Sequence, residues 1–212
     1  MSDAPTPTTL EGITQVWVRS ARDGDAGDFA RLYEHIAPAV HTWAALRLRP
    51  DQAAMLDPGD LVQEVWLRAW RKIDDFDHER VPFRFWVFRI AKNVLLEASR
   101  QARRPDQLGR VRASGEDGGE ADPLARVADS ITAVSRRVSR NEELGRFREA
   151  VAALPEDERK LVLHCGLEGL PLREVGERLG ISEEAAGKRW QRLRARLRTT
   201  ELPEHLLALS AS

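Results

Sequence analysis

The sequence predicts an all-α protein built as two small helical domains joined by a flexible linker, and three observations carry that expectation. Apolar residues recur at three- and four-residue spacing through both halves of the chain, as amphipathic helices require. Gly, Pro and Asp clusters punctuate those stripes at Asp23-Gly24-Asp25, Asp57-Pro58-Gly59-Asp60, Pro105 and Pro155. Between the halves, the chain around Ser114 to Pro123 (SGEDGGEADP) is acidic, Gly-rich and poor in apolar residues. So long a loop does not belong inside one compact domain, so the boundary falls there. The expected divisions are a polar tail at 1–12, a first helical domain at 13–104, a linker at 105–138, a second helical domain at 139–200 and a tail at 201–212.

A chain of 212 residues suits one large or two small domains. With 33 basic and 34 acidic side chains the net charge is -1, so any nucleic-acid contact must come from local clusters. The lone Cys165 excludes an internal disulfide and any multi-cysteine zinc site. Met1 to Leu10 lacks the basic and apolar regions of a signal peptide, and no apolar run approaches membrane-spanning length. The chain therefore reads as cytoplasmic, without membrane insertion.

In the first domain, Ile13 to Arg22 and Ala26 to Trp43 read as helices around the Asp23-Gly24-Asp25 turn, the second with a stripe of Phe29, Leu32, Tyr33 and Ile36. His35 and His41 have no partner at metal-ligand spacing and read as surface or packing residues. Asp57-Pro58-Gly59-Asp60 opens the helix LVQEVWLRAWRKI. Leu61, Val62, Val65, Trp66, Ala69 and Ile73 cluster on one side of it. Asp60, Gln63, Glu64, Leu67 and Arg71 fall opposite, a polar face with a leucine at its centre. Such a face suits a protein partner, or is simply exposed. Asp74, Asp75, Asp77 and His78 could suggest a metal site, but the run lacks the glycine and distal glutamate of a calcium loop and reads as a helix-ending turn. Next, FRFWVFRIAKNVLLEASRQARR begins nearly all apolar and ends basic, with Arg89, Lys92, Arg100, Arg103 and Arg104 against the single acid Glu97. Phe83, Phe85, Trp86 and Phe88 precede those cations. Aromatics among cations suit unstacked single-stranded bases, although most of these rings are expected in the core.

The second domain starts with a helix from Asn141 to Leu154, stopped by Pro155, and another behind Pro155-Glu156-Asp157-Glu158. Cys165 beside His164 reads as a small buried thiol rather than a catalytic pair. Leu170 to Arg198 then carries the form of a helix-turn-helix: a short helix, Gly180 for the left-handed turn, Ser182 as N-cap and a second, basic helix. Ala186, Trp190, Leu193 and Leu197 make its apolar face, and the six cations from Lys188 to Arg198 meet no acid.

These stretches together resemble the extracytoplasmic-function (ECF) sigma factors of bacterial RNA polymerase. GDAGDFARLYEHIAP, DLVQEVWLRAWRKIDDF, FRFWVFRIAKNVLLE and LPEDERKLVLHCGLEGLPLREVGERLGIS occur in the family's order and spacing, from about Val16 to Leu197. The resemblance implies a sigma region 2-like helical bundle and a sigma region 4-like helix-turn-helix. It also implies a non-enzymatic initiation factor without cofactor or catalytic residue, binding core RNA polymerase, promoter DNA and, where one exists, an anti-sigma factor. Asp60, Gln63, Glu64, Leu67 and Arg71 would then contact polymerase. Trp86, Arg89, Lys92, Asn93, Arg100 and Arg103 would hold the melted minus-ten strand, Asn93 matching a position that reads a flipped-out base in some members. Glu184, Lys188, Gln191 and Arg192 would face minus-thirty-five bases in the major groove, with Arg189, Arg194 and Arg196 on phosphates and the N-cap Ser182 within the same minus-thirty-five site. The linker would thread towards the RNA channel or act as a tether. Gly187 departs from the family's usual Lys or Arg, Ala185 and Ala186 from its Thr-Val pair, and Gly176 from its Ala, where any small residue is expected to suffice. Two rivals predict different behaviour: a stand-alone helix-turn-helix regulator would bind DNA without polymerase, and a phosphodiesterase at Asp74, Asp75, Asp77 and His78 would need metal.

Overall fold

The computed structural model describes residues 10–48, 56–77, 80–102, 141–198 and 207, and every regular element among them is helical. The expected linker at 105–138, Arg103, Arg104, His78 and Glu79 lie outside the described residues, as do nearly all residues of the two tails.

The first domain consists of α1 (Leu10–Arg22), α2 (Ala26–Arg47), α3 (Pro58–Arg71) and α4 (Phe83–Ala102). The Asp23-Gly24-Asp25 turn forms as expected. Gly24 takes φ +92°, and the Asp25 carboxylate accepts from the Gly27 and Asp28 amides at 2.7 and 3.1 Å, capping α2. Helix α2 runs past the expected end at Trp43 to Arg47, because Trp43 and Ala44 are wholly buried and tertiary packing carries the helix onward. Asp57 caps α3 through the Gly59 amide at 2.6 Å, and Pro58 fills a first-turn position where its missing N–H costs nothing. Leu61, Val62, Val65, Trp66, Ala69 and Ile73 are all buried, the side assigned to them by the helical wheel. Trp66 meets Phe29 and Tyr33 edge-on, with ring centroids 5.5 and 4.9 Å apart. Phe83 and Phe88 join this core, whereas Phe85 and Trp86 are half-buried.

The second domain consists of α5 (Glu142–Ala152), capped by Asn141, then α6 (Glu156–Leu161), α7 (Leu172–Leu179) and α8 (Glu183–Arg198). Helix α6 passes directly into a wider π-helical turn, Val162–Leu167, closed by the Glu168 amide donating to the Leu163 carbonyl at 2.9 Å. All six residues of that turn are buried. Burial pushes the Cys165 thiol up to about 12, which keeps it protonated and unreactive, in line with a packing role.

Gly180 ends α7 in the left-handed region at φ +68°, and the Ser182 hydroxyl accepts from the Ala185 amide at 3.2 Å. Gly176 is more constrained than expected. A Cβ there would stand 2.7 Å from the Ile181 carbonyl oxygen and 3.2 Å from the Glu183 nitrogen, so even alanine would press on backbone. The requirement is for no side chain, because the turn folds directly over this residue.

The two domains pack together. Helix α2 lies against α5 and the π turn, and the buried apolar side chains of both domains form one continuous cluster.

Candidate nucleic-acid and polymerase interfaces

Helix α3 turns its unburied side outward. Asp60 and Arg71 are exposed, and Gln63, Glu64 and Leu67 are half-buried around them. Glu64 accepts from Arg68 Nε at 2.6 Å, and the same guanidinium reaches Glu97 of α4 at 2.7 Å. The bonds to Glu97 and then Glu64 outweigh partial burial and hold the Arg68 pKa above its ordinary value. Arg68 thereby ties α3 to α4 and orients Glu64.

On α4, Arg89, Asn93, Leu96 and Arg100 are all exposed, and their spacings of four, three and four place them on one face. Leu96 is 54% exposed in the middle of that face and was not singled out by sequence. Two candidates lie elsewhere. Trp86 is half-buried, its ring 4.8 Å from Phe76 and 5.5 Å from Phe83, so it belongs partly to the core. Lys92 is turned towards the second domain, its Nζ 2.7 Å from Glu168.

On α8, Glu184, Lys188, Arg189, Gln191, Arg192 and Arg196 are exposed, and Arg194 is half-buried. Lys188 pairs with Glu184 at 2.6 Å, and Arg196 pairs with Glu158 of α6. Both pairs face solvent, where such contacts contribute little and can be exchanged for phosphate. Ser182 serves as the cap already described. Gly187 does not face outward as the missing Lys or Arg would. It is half-buried, and a Cβ there would approach Leu172 of α7 to 3.2 Å.

Two family models match the chain. Sigma-70 region 2 matches residues 32–105, and the sigma-70 region 4 model matches 144–197. RNA polymerase sigma factor CnrH of Cupriavidus metallidurans is 30% identical over 141 residues, which are 66% of this chain and 71% of that one.

The chain belongs to the ECF sigma factors.

The ECF RNA polymerase sigma factor RpoE of Cereibacter sphaeroides is 28% identical over 169 residues, covering 78% of this chain and 83% of its own. A solved structure of CnrH in complex with the cytosolic domain of CnrY aligns at 25% identity and a TM-score of 0.41, over 89% of this chain and 96% of the other. As a sigma factor the protein binds core RNA polymerase and promoter DNA and directs initiation at specific promoters. Among the described residues, no helix is long and apolar enough to cross a membrane, and no group of three or more His, Cys, Asp or Glu side chains could hold a metal. Asp77, from the metal reading, pairs with Arg80 at 3.1 Å.

Sequence reasoning missed one constellation in this sigma factor. Glu168, directly after the π turn, is 0% exposed and is met by four donors. Trp43 Nε1 and Arg47 Nη2 of α2 donate to Oε1 at 2.8 and 2.9 Å. Lys92 Nζ of α4 and His164 Nδ1 meet Oε2 at 2.7 and 3.2 Å. An ionised carboxylate only accepts, so this bond requires the imidazole proton on Nδ1. Burial alone would raise the carboxyl pKa, but the bonds from His164, Lys92 and Trp43 and the Lys92 charge reverse that and hold it at about 2. Arg84 completes the contact, donating from Nε to the Leu167 carbonyl at 2.8 Å while its guanidinium lies 5.6 Å from the Phe88 ring centroid. A glutamate in GLEGLP carries no local signature, and three of its four partners are 76 to 125 residues away in sequence.

Proposed function

We propose that three separate outward faces divide the sigma factor's work. Asp60, Gln63, Glu64, Leu67 and Arg71 on α3 dock on core polymerase, carboxylates and amide surrounding one apolar contact. Arg89, Asn93 and Arg100 on α4 hold the melted minus-ten strand, cations following phosphates and Asn93 reading an unstacked base edge. Lys92 and Trp86 border that site, Leu96 supplies an apolar contact within it, and Arg103 is assigned to the same strand in the same proposal. On α8, Glu184, Lys188, Gln191 and Arg192 face minus-thirty-five bases, with Arg189, Arg194 and Arg196 on phosphates and Ser182 fixing the helix start. The working units are a first domain at 13–104 and a second at 139–200, with 105–138 as linker. The protein is cytoplasmic and non-enzymatic, polymerase performing the nucleotidyl transfer, and an anti-sigma factor is a further partner.

The observation that carries this reading is the exposed Arg89-Asn93-Leu96-Arg100 face. Four residues with no core role line up on a helix whose other side is core, and three of them suit single-stranded DNA. Binding of forked promoter DNA to the reconstituted holoenzyme tests it. Asn93→Ala should weaken capture of the single-stranded minus-ten segment and relax its base preference, while duplex minus-thirty-five binding holds. Equal loss on both segments would reject this division of labour.

A further inference from the structure

A buried charge joins α2 and α4 to the second domain. Glu168 enters from the π turn and takes one hydrogen bond each from Trp43, Arg47 and Lys92, all of the first domain. Its own domain contributes only His164. Four donors match the four lone-pair positions of a carboxylate, so this buried charge is fully satisfied only while the domains are closed. Arg84 repeats the pattern with neutral partners, donating to the Leu167 carbonyl at the open end of the π turn. Meanwhile Lys92, one position before Asn93, has its ammonium held by the glutamate and withdrawn from any phosphate.

The π turn also touches the recognition helix. A Cβ on Gly166 would lie 3.0 Å from the Trp190 ring of α8 and 2.7 Å from Leu207. The turn therefore packs closely against α8 on one side and supplies the carboxylate to α2 and α4 on the other.

We propose that Glu168 is an intramolecular latch, a carboxylate that occupies Lys92, a cation bordering the minus-ten face, in place of DNA phosphate and holds the free sigma factor closed. Opening releases Lys92 to the strand and lets the second domain move away to the upstream promoter element. The occupancy of Lys92 as a DNA ligand rests on the proposed function above. Closure through Glu168 does not.

The test uses the full chain in two variants. Glu168→Gln keeps the shape but turns an N–H towards donors, and Trp43→Phe keeps the ring but removes the indole donor. Small-angle X-ray scattering reads closure, and the anisotropy of a short fluorescein-labelled single-stranded DNA of random sequence reads access to the face. Far-UV circular dichroism confirms that each variant is folded. Both variants should show a larger radius of gyration than the parent chain. Apparent DNA affinity should rise, and the slope of log K against log salt should steepen by about 0.7, because opening adds the Lys92 ammonium as one more phosphate contact to a face that is already exposed. An unchanged radius in both variants would overturn the latch. A larger radius with unchanged DNA affinity would leave the closure standing and remove Lys92 from the DNA-binding site.

Discussion

Replacing Gly176 with alanine separates two opposite expectations. Helix propensity alone favours the substitution by about 1 kcal/mol, since Gly176 lies inside α7. The structure argues the other way. The added Cβ would stand 2.7 Å from the Ile181 carbonyl oxygen and 3.2 Å from both the Glu183 nitrogen and the Ser182 carbonyl carbon. These are backbone atoms of a turn held by the Ile181 amide donating to the Gly176 carbonyl at 3.0 Å, so no side chain can swing aside. Relief requires the turn to move by several tenths of an ångström, and such overpacking costs roughly 1–3 kcal/mol. The net expectation is a loss of about 1 kcal/mol, or roughly 2–4 °C in Tm for a chain of this size. Urea denaturation followed by circular dichroism measures it. Because α8 leaves the same turn, affinity for minus-thirty-five duplex should fall as well. A Gly176→Ala protein more stable than the parent by about 1 kcal/mol would refute the argument that the turn demands a bare backbone.

Further expectations follow from the exposed faces and the buried ionisable groups. Glu64→Lys should reduce co-purification with core polymerase severalfold while the far-UV spectrum stays unchanged, because the pair it breaks with Arg68 is partly exposed and contributes under about 1 kcal/mol. Arg192→Ala should weaken duplex binding and relax base preference at the position it reads, whereas Arg189→Ala should lower the slope of log K against log salt by about 1. Acid sensitivity should arrive in two windows. Burial, with Arg148 nearby and despite Asp57, holds the His41 pKa below its ordinary 6.5. The unfolded chain therefore binds that proton first, and stability should fall as pH drops below about 6.5, an effect that His41→Asn should remove. Glu168, held at about 2 against an ordinary 4.5, contributes roughly 3 kcal/mol above pH 4.5, lost only as pH falls from there towards 2. Scattering curves recorded between pH 7 and 5 should accordingly show no opening attributable to the latch.

Much of the fold was legible because local chemistry specifies it. The Asp23-Gly24-Asp25 turn, the helix start at Asp57-Pro58, the Ser182 cap, the left-handed Gly180 and the buried side of α3 all depend on neighbours within a helical turn. The outward residues of α8 were legible for the same reason: once Ala186, Trp190, Leu193 and Leu197 are inside, Arg192 must be outside. What stayed hidden depends on distant partners. The π turn shows no break in apolar pattern, since all its residues are buried whichever helix type they adopt. Lys92 looked like one more cation of a basic helix, and only folding reveals that its partner is Glu168. Gly187 looked like a lost DNA contact, whereas its position turns towards Leu172. Gly176 looked replaceable because the turn above it cannot be seen from composition.

The central claim is that this chain directs polymerase to promoters, and reconstituted run-off transcription tests it most directly. Core RNA polymerase is assayed with and without the protein on promoter fragments from the genome that encodes it. Defined transcripts should appear only when the protein is present, and should be lost with Glu64→Lys at matched concentration. A protein that binds these fragments alone yet yields no promoter-specific transcript with core polymerase would contradict the account.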